Sequence, residues 1–486
     1  MSRIVIHGHF YQPPREDPWT GEIPRQADAA PFHDWNERVY FEAYRPNAFC
    51  SIPMPRGPRI VNNFERISFN VGPTLMSWLE QRHPETHMRI VEADQKSIDR
   101  TGHGNAIAQA FHHSILPLAS GRDIRTEIRW GLADFRHRFG RDAEGIWLPE
   151  TAASTEVLRV LIEEGVGFTI MAPWQAESWQ DEDGAWQAAT TGTIDPRRPY
   201  RFSHPDQPDR SVAIFFYDGS IAQAIAFERA GSSAERFLDL FEGKFGRFDQ
   251  VVHAATDGET YGHHHKFTDL GLAYALFVEA DRRGLEITNY ASYLERFPPA
   301  SEVRLVPGGS SWSCMHGIER WRSDCGCHTG GHPGWSQAWR SPLRRAFDIV
   351  KAAADATFES QGGDLLADPW RARNGYIDVI AGREDLSKFL TGFAPQPLDE
   401  DAVARTKKLL EMQRFALAMY TSCGWFFNDV SGIETVQVMR YAARTLELLD
   451  DLGGRSVRTD FLDALGDARS NLPGHADGAQ IYAGIT

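Results

Sequence analysis

The 486-residue chain has few cysteines, no excess of basic residues and no long apolar run. Its five cysteines are a sparse and odd set, which argues against the disulfide framework of a secreted protein. Lys and Arg number 51 against 66 Asp and Glu, and the net charge of −15 disfavours binding to a nucleic-acid backbone. No run approaches the roughly 18 to 20 apolar residues that span a bilayer, and the first residues read as a buried strand. These absences predict a cytoplasmic protein that binds neither nucleic acid nor membrane.

What the chain does contain suits a polar ligand. Apolar residues make up 42% of it, enough for the cores of two or three domains. It also has 14 Trp and 18 His, side chains that stack on flat polar ligands and form hydrogen bonds to them. The composition therefore favours a binding site for a neutral or polar substrate.

Short β-type runs alternate with helical patterns over the first 300 residues, which predicts an α/β fold with a parallel sheet. Seven strands at this spacing favour an α/β barrel over an open sheet. The predicted strands are Ile4–His7, Ile67–Val71, Gly145–Leu148, Gly167–Met171, Val212–Phe216, Val251–Ala255 and Leu285–Thr288. Between two of them, the Trp-rich and Pro-rich stretch 173–209 is predicted to be a long functional loop.

The pattern changes after about residue 300. A loop region rich in Gly, Ser, Trp and Cys precedes helices with a 3.6-residue apolar period, such as Leu409, Met412, Ala416 and Met419. We therefore predict two domains, a catalytic barrel over 1–300 and a helical C-terminal domain over 301–486. Exposed helix faces often pair two copies of a chain, so a homodimer stays an open alternative. No continuous apolar stripe in the sequence identifies an interface for it.

Two carboxylates follow predicted strands and are candidates for catalysis. Glu150 comes directly after Trp147-Leu-Pro, and the proline ends the strand ladder just before it. Asp257 follows the buried strand at Val251 and opens the string Asp257-Gly-Glu-Thr-Tyr-Gly-His263. Strand ends of a barrel converge on one face, so these groups can face each other as acid and as base or nucleophile in glycoside hydrolysis.

A third polar motif follows the first strand, where His7-Gly-His9 can serve either as metal ligands or as hydrogen-bonding groups for a sugar.

A fourth region contains Cys314, His316, Cys325 and Cys327. Its spacing differs from the common zinc-finger and ribbon patterns, so reduced structural thiols are favoured over a metal site. We predict no metal site and no cofactor. Phosphate-loop, serine-elbow and zinc-helix motifs are also missing, which removes the usual support for kinases, serine esterases and zincins.

At these residues the sequence resembles glycoside hydrolase family 57, whose members act on α-glucans with retention of configuration. The resemblance rests on His7-Gly-His-Phe-Tyr-Gln-Pro13, Trp147-Leu-Pro-Glu150 and Asp257-Gly-Glu-Thr-Tyr-Gly-His263, with support from His113-Ser-Ile-Leu-Pro-Leu118 and Tyr293-Leu-Glu-Arg-Phe-Pro-Pro299. The part after about residue 307 resembles a helical extension found in a subset of the family.

The resemblance implies a (β/α)7 barrel, with Glu150 as nucleophile and Asp257 as general acid/base of an α-amylase, 4-α-glucanotransferase or branching enzyme. It implies an α-glucan or maltooligosaccharide substrate and a carboxyl separation of about 5 to 5.5 Å. It further implies hydroxyl-binding or ring-stacking side chains around the central subsite. These are His7, His9, His113, Trp147, Trp174, Glu259, His263 and Trp312.

Two alternatives stay open. The first is a metal-dependent carbohydrate deacetylase or mannosidase, because related barrels bind zinc at the same rim. Against it, this chain has His7-Gly-His9 where those mannosidases use His-x-Asp. The second is a glucan-binding protein without catalytic activity, which the presence of both Glu150 and Asp257 disfavours.

Overall fold

The computed structural model describes residues 2–189, 194–246, 250–330 and 332–485. The chain forms two compact units whose segments interleave along the sequence, so the units do not follow a single cut at residue 300. The first unit comprises Met1–Gln12, Arg25–Gln109 and Phe135–Trp312, and the second comprises Pro13–Pro24, Ala110–Asp134 and Ser313–Thr486.

The first unit holds the strands. In the described residues these are β1 (Arg3–Phe10), β2 (Cys50–Ile52), β3 (Arg59–Val61), β4 (Ser68–Val71), β5 (Ala108–Gln109), β6 (Gly145–Trp147), β7 (Phe168–Met171), β8 (Ala176–Gln180), β9 (Trp186–Ala188), β10 (Tyr200–His204), β11 (Gln207–Phe216), β12 (Val251–Asp257), β13 (Glu286–Ile287) and β14 (Ser301–Leu305). Each of the seven predicted strands is present, so the predicted α/β class is confirmed.

Seven parallel strands follow one another in the order β12, β1, β4, β5, β6, β7, β11. A parallel bridge between Phe69 and Ala106 joins the β4 and β5 segments. Between β11 and β12, a backbone hydrogen bond of 2.9 Å runs from Asp218 N to His253 O. This is the strand order of a seven-stranded barrel, with the ladder interrupted at these two places in the described part of the chain.

The seven strands β2, β3, β5, β8, β9, β10 and β14 were not predicted. The prediction missed β5, because this strand is only two residues long and has no apolar run of its own. Stretch 173–209 is not an irregular loop: it contains β8, β9 and β10, and β10 pairs antiparallel with β11. β8 and β9 form a largely accessible hairpin, whereas β10 alternates buried and half-buried residues. Residues 190–193 of the predicted loop lie outside the described residues.

Helices connect the strands of the first unit. The helix after β6 spans Thr155–Glu163, and the Ser154 hydroxyl caps it by accepting a hydrogen bond from Val157 N. The α-helices before residue 300 are Trp35–Val39, Arg45–Ala48, Pro73–Arg82, Pro84–Thr101, Gly121–Phe139, Thr155–Glu163, Gly219–Phe227, Ala234–Glu242, Thr268–Tyr274, Ala280–Arg283 and Tyr290–Arg296.

The second unit is helical after residue 339, as the apolar period predicted. The faces of its long helices that carry Leu409, Met412 and Met439 are fully buried. Its helices are Arg340–Leu365, Pro369–Gly375, Ile377–Ile380, Leu386–Thr391, Glu400–Ala418, Cys423–Phe426, Ile433–Asp451, Arg458–Gly466 and Gly478–Ala483. Among the described residues, none of the helices combines the length and the hydropathy that a membrane crossing requires.

Candidate active site

The carboxyl ends of three neighbouring strands bring His9, Asp257 and Asn70 side by side. In the parallel ladder, His9 of β1 pairs with Asp257 of β12 on one side and with Asn70 of β4 on the other. Barrels of this class assemble their active sites at the carboxyl ends of the strands. Two motifs almost 250 positions apart in sequence therefore meet at one edge of the sheet.

Glu150 lies just beyond β6 on a strained turn. Its φ is 58° and that of Thr151 is 49°, and a left-handed conformation is costly for non-glycine residues, most of all for a β-branched one. The following helix is already capped by Ser154, so Glu150 is not needed as its cap. The turn instead presents the Glu150 side chain, which is 9% exposed, at the strand ends.

Neighbouring groups hold this turn in place. The hydroxyl of Thr151 donates to Gln175 Oε1 over 2.8 Å, and Gln175 Nε2 donates to Thr151 O at 2.8 Å and to Ser310 O at 3.0 Å. The backbone N of Trp312 donates to Glu150 O at 3.0 Å, and its indole Nε1 donates to Glu150 Oε2 at 2.9 Å. The conformation of Glu150 is therefore fixed through both its backbone and its carboxylate.

The electrostatic environments of the two candidate carboxyls differ. Burial, followed by the nearby charge of Glu150, raises the pKa of Asp257 to about 7. The Glu150 carboxylate instead receives an indole N–H, which favours its charged form. Near neutral pH one group can thus donate a proton while the other carries a negative charge, which is the division of roles in a two-carboxylate glycosidase.

Glu259 is a third carboxyl close to this pair. Its Oε1 accepts hydrogen bonds from Tyr11 N at 2.9 Å and from the Tyr44 hydroxyl at 2.6 Å. Burial, followed by the charge of Asp257, raises the pKa of Glu259 to about 8. Glu259 therefore stays largely protonated at neutral pH, and its protonated oxygen can serve as a hydrogen-bond donor.

Asn70 connects the two histidines of β1. Its Oδ1 lies 3.1 Å from His7 Nε2, and its Nδ2 lies 2.9 Å from His9 Nδ1. Burial lowers the pKa of each histidine to about 3, so both rings are neutral. His7 is completely buried, and its other nitrogen contacts Ser68 Oγ at 3.1 Å. Both ring nitrogens of His7 thus have hydrogen-bond partners within the core, and its binding of a sugar hydroxyl stays a prediction.

The aromatic side chains divide into supporting and accessible groups. Trp147 is fully buried and stacks on His7 and His9 at centroid distances of 4.9 and 5.0 Å. It therefore supports the site from within the core instead of offering a face to a sugar ring. Trp312 packs edge-on against it at 5.1 Å, while Trp174 is 40% exposed. Trp174 and Trp312 remain the candidates for stacking.

Two expected binding residues have other surroundings. His113 belongs to the second unit, where its Nδ1 lies 2.6 Å from Ser422 Oγ. His263 contacts Glu42 through Nδ1, and Lys266 pairs with the same carboxylate at 3.0 Å. The roles of His113 and His263 in binding a sugar stay predictions.

Sequence reasoning missed four supporting residues: Asn70, Gln175, Tyr44 and Tyr217. Tyr217 follows β11, and burial followed by the charge of Asp257 raises the pKa of its phenol. Only Asn70 had a visible signal, since it is an amide near the carboxyl end of the predicted strand Ile67–Val71. Tyr44, more than two hundred positions from Glu259, had none.

Potential metal ligands gather elsewhere, in the second unit. In the described part of the chain, the one group of three or more His, Cys, Asp or Glu side chains able to share an ion is the thiol cluster of Cys314, His316, Cys325 and Cys327. None of the five cysteines, all of which are described, forms a disulfide.

Comparison with protein families gives two matches. The model of glycosyl hydrolase family 57 matches residues 23–305, which is more than half of the chain. The model described as "Domain of unknown function (DUF3536)" matches residues 335–485.

Individual relatives are distant. An α-amylase of Pyrococcus abyssi is 25% identical over 207 residues, covering 38% of this chain and 29% of that protein. A 4-α-glucanotransferase of Thermococcus litoralis is 24% identical over 302 residues, covering 55% and 40%. The matched region thus spans less than half the length of either curated relative.

Among solved structures, an exo-type maltose-forming amylase from Pyrococcus sp. ST04 superposes with a TM-score of 0.71 at 13% identity, covering 99% of this chain and 92% of that one. At that identity the likeness is one of fold, and it extends over both units.

Proposed function

The chain belongs to glycosyl hydrolase family 57, and from this premise we propose that it is a retaining enzyme of α-glucans in which Glu150 is the nucleophile and Asp257 the general acid/base. The observation that carries the proposal is the contrast between the two carboxyls. Burial and the charge of Glu150 keep Asp257 protonated up to about pH 7, while the Trp312 indole stabilises the Glu150 anion.

In the first step, the protonated Asp257 donates its proton to the glycosidic oxygen as Glu150 attacks the anomeric carbon. The bond between that carbon and the glycosidic oxygen breaks, the leaving sugar departs with the proton, and a glycosyl ester forms on Glu150. In the second step, the Asp257 carboxylate accepts a proton from water or from a sugar hydroxyl, whose oxygen then displaces Glu150. Water as acceptor gives hydrolysis, and a sugar hydroxyl gives glucan transfer.

Other residues are proposed to position these groups and the substrate. His9 and the protonated Glu259 lie beside Asp257 in the ladder and in the following turn, and both are neutral hydrogen-bonding groups suited to sugar hydroxyls. Trp174 is proposed as an exposed stacking surface. We further propose a cytoplasmic location, which the lack of a disulfide among the five described cysteines supports.

The experiment compares Glu150→Gln, Asp257→Asn and the control Glu156→Gln on maltooligosaccharides and amylose. Glu156 is exposed at the start of the next helix, so its variant should retain wild-type activity. Each catalytic variant should lose on the order of a thousandfold or more in kcat. NMR of the first products should show the α-anomer.

Full activity in either catalytic variant, or a β-anomeric first product, would overturn the proposal. Tight binding of a maltooligosaccharide with no turnover by the wild type would replace it with the glucan-binding alternative.

A further inference from the structure

Residues 313–339 connect the first unit's last strand to the long helix Arg340–Leu365 with little regular structure. In the described residues of this connection, the one helical element is the short turn Glu319–Trp321. Two close pairs of potential ligands flank that turn, Cys314 with His316 and Cys325 with Cys327. Gly326 separates the second pair with φ of 78°, a left-handed conformation that lets the chain reverse between the two thiols.

The distances within this thiol cluster are those of ligands around one ion. The Cys314 sulfur lies 3.9 Å from the Cys325 sulfur and 3.8 Å from the Cys327 sulfur. Nδ1 of His316 lies 3.6 Å from the Cys327 sulfur, and the four ligand atoms all lie within 4.8 Å of one another. A disulfide would need sulfurs about 2.05 Å apart, so these thiols are not bonded to each other.

Tetrahedral zinc accounts for this spacing. Zn–S bonds of about 2.3 Å and Zn–N bonds of about 2.0 to 2.1 Å place neighbouring ligands about 3.8 Å apart for two sulfurs and about 3.6 Å apart for sulfur and nitrogen. A two-iron cluster would hold its ligand pairs farther apart, since they bind different metal atoms. Three soft thiolates with one imidazole are a typical structural zinc set.

We propose that Cys314, His316, Cys325 and Cys327 bind one zinc ion as a closed structural site. The four protein ligands complete the tetrahedron and leave no position for a substrate. The preference for simple reduced thiols in the sequence analysis came from the one-residue spacing within each pair. The fold overcomes that spacing by turning the chain sharply at Gly326.

The charge balance of the surroundings supports the same assignment. The guanidinium of Arg340 is fully buried and donates to Cys327 O at 2.8 Å and to Phe427 O at 3.2 Å. In the described part of the chain no carboxylate forms an ion pair with it, and its Nε has no hydrogen-bond partner. A buried unpaired charge is costly. Zinc with three thiolates and a neutral imidazole has a net charge of −1, which would balance Arg340.

The site would cross-link the connection between residues 313 and 339. Binding zinc brings together two chain segments around the turn Glu319–Trp321, and the free energy of metal binding becomes folding free energy for this region. The site lies outside the proposed catalytic chemistry, so its test does not depend on enzyme activity.

The test measures metal in the full-length protein purified under reducing conditions without added chelator. Elemental analysis of the wild type should find one zinc per chain. The variants Cys325→Ser and Cys327→Ser should retain less than a tenth of it. The control Cys423→Ser removes a thiol outside the cluster and should keep the full amount.

X-ray absorption at the zinc edge provides a readout that needs no variant. It should show three sulfur neighbours and one nitrogen neighbour. Stoichiometric iron in place of zinc, a zinc shell of oxygen and nitrogen only, or a chain that stays metal-free after incubation with zinc would each overturn the proposal.

Discussion

The indole nitrogen of Trp312 donates a 2.9 Å hydrogen bond to Oε2 of Glu150, and the backbone of the same two residues is joined by a second bond of 3.0 Å. A residue 162 positions away thus orients the proposed nucleophile and stabilises its negative charge. Hydrogen bonds to charged groups contribute about 1.5 to 3 kcal/mol.

Replacing this donor should slow catalysis. Trp312→Phe keeps a ring against Trp147 but removes the N–H, so kcat on a maltooligosaccharide should fall by about tenfold to a hundredfold. The same exchange at the partly exposed Trp186 of β9 is the matched control and should leave kcat unchanged. Equal kcat values for the two variants would refute a role for the indole N–H.

The pH dependence should report Asp257. Because the proposed acid must be protonated, kcat/KM should fall as pH rises through about 7, the pKa to which burial and Glu150 raise this group. In the variant Glu259→Gln this fall of kcat/KM should stay near the same pH, because the pKa of Asp257 is raised by burial and by Glu150. A basic limb that moves with Glu259→Gln, or one that begins only above pH 9, would contradict the assignment.

Glu259 should destabilise the protein at alkaline pH. Its pKa is about 8 in the folded chain against about 4.3 when unfolded, so the folded state binds more protons between these values and stability falls as pH rises. In Glu259→Gln this group no longer titrates, and between pH 5 and 8 the free energy of unfolding should decline less steeply, by up to about 1.4 kcal/mol per pH unit. Urea unfolding across this range measures the slope, and parallel curves for wild type and variant would count against a raised pKa.

Asn70 and burial act in opposite directions on the paired histidines: burial lowers the pKa of each ring, and the hydrogen bond to Asn70 partly offsets that shift. A carboxylate in its place would favour their charged forms, so Asn70→Asp should raise the pKa of His7 and His9 from about 3. NMR titration of the imidazole protons measures both midpoints, and His264, with a pKa lowered to about 4 by burial, is the internal control. Unchanged midpoints for His7 and His9 would mean that Asn70 does not bridge them.

Much of the fold could be predicted because it depends on local patterns. The strand at Val251 and the helix opened by Ser154 each have an apolar period and an end signal within a few residues. The two-residue β5 has neither, since its pairing with β6 is determined by the neighbouring strand. Likewise, β8 and β9 were predicted as part of a loop because a largely accessible hairpin lacks an apolar run, and β10 was missed because its buried residues alternate with polar ones.

The candidate carboxylates could be identified because each follows directly on a predicted strand. The residues that hydrogen-bond to carboxylates of the site could not be identified, because they lie far away in sequence. Trp312 contacts Glu150, and Tyr44 contacts Glu259. The burial of Trp147 could not be predicted either, because an aromatic residue at a strand end has the same sequence signature whether it faces a ligand or the core.

The central claim is that Glu150 becomes covalently attached to the substrate. The most direct measurement incubates the wild-type protein with a fluorinated α-glucosyl fluoride that forms a glycosyl-enzyme quickly and releases it slowly, followed by peptide mass spectrometry. We predict one added glycosyl group per chain, located on Glu150, and no label in a Glu150→Gln control. A label on a different carboxylate, or steady turnover of α-glucans with no covalent species, would contradict the account.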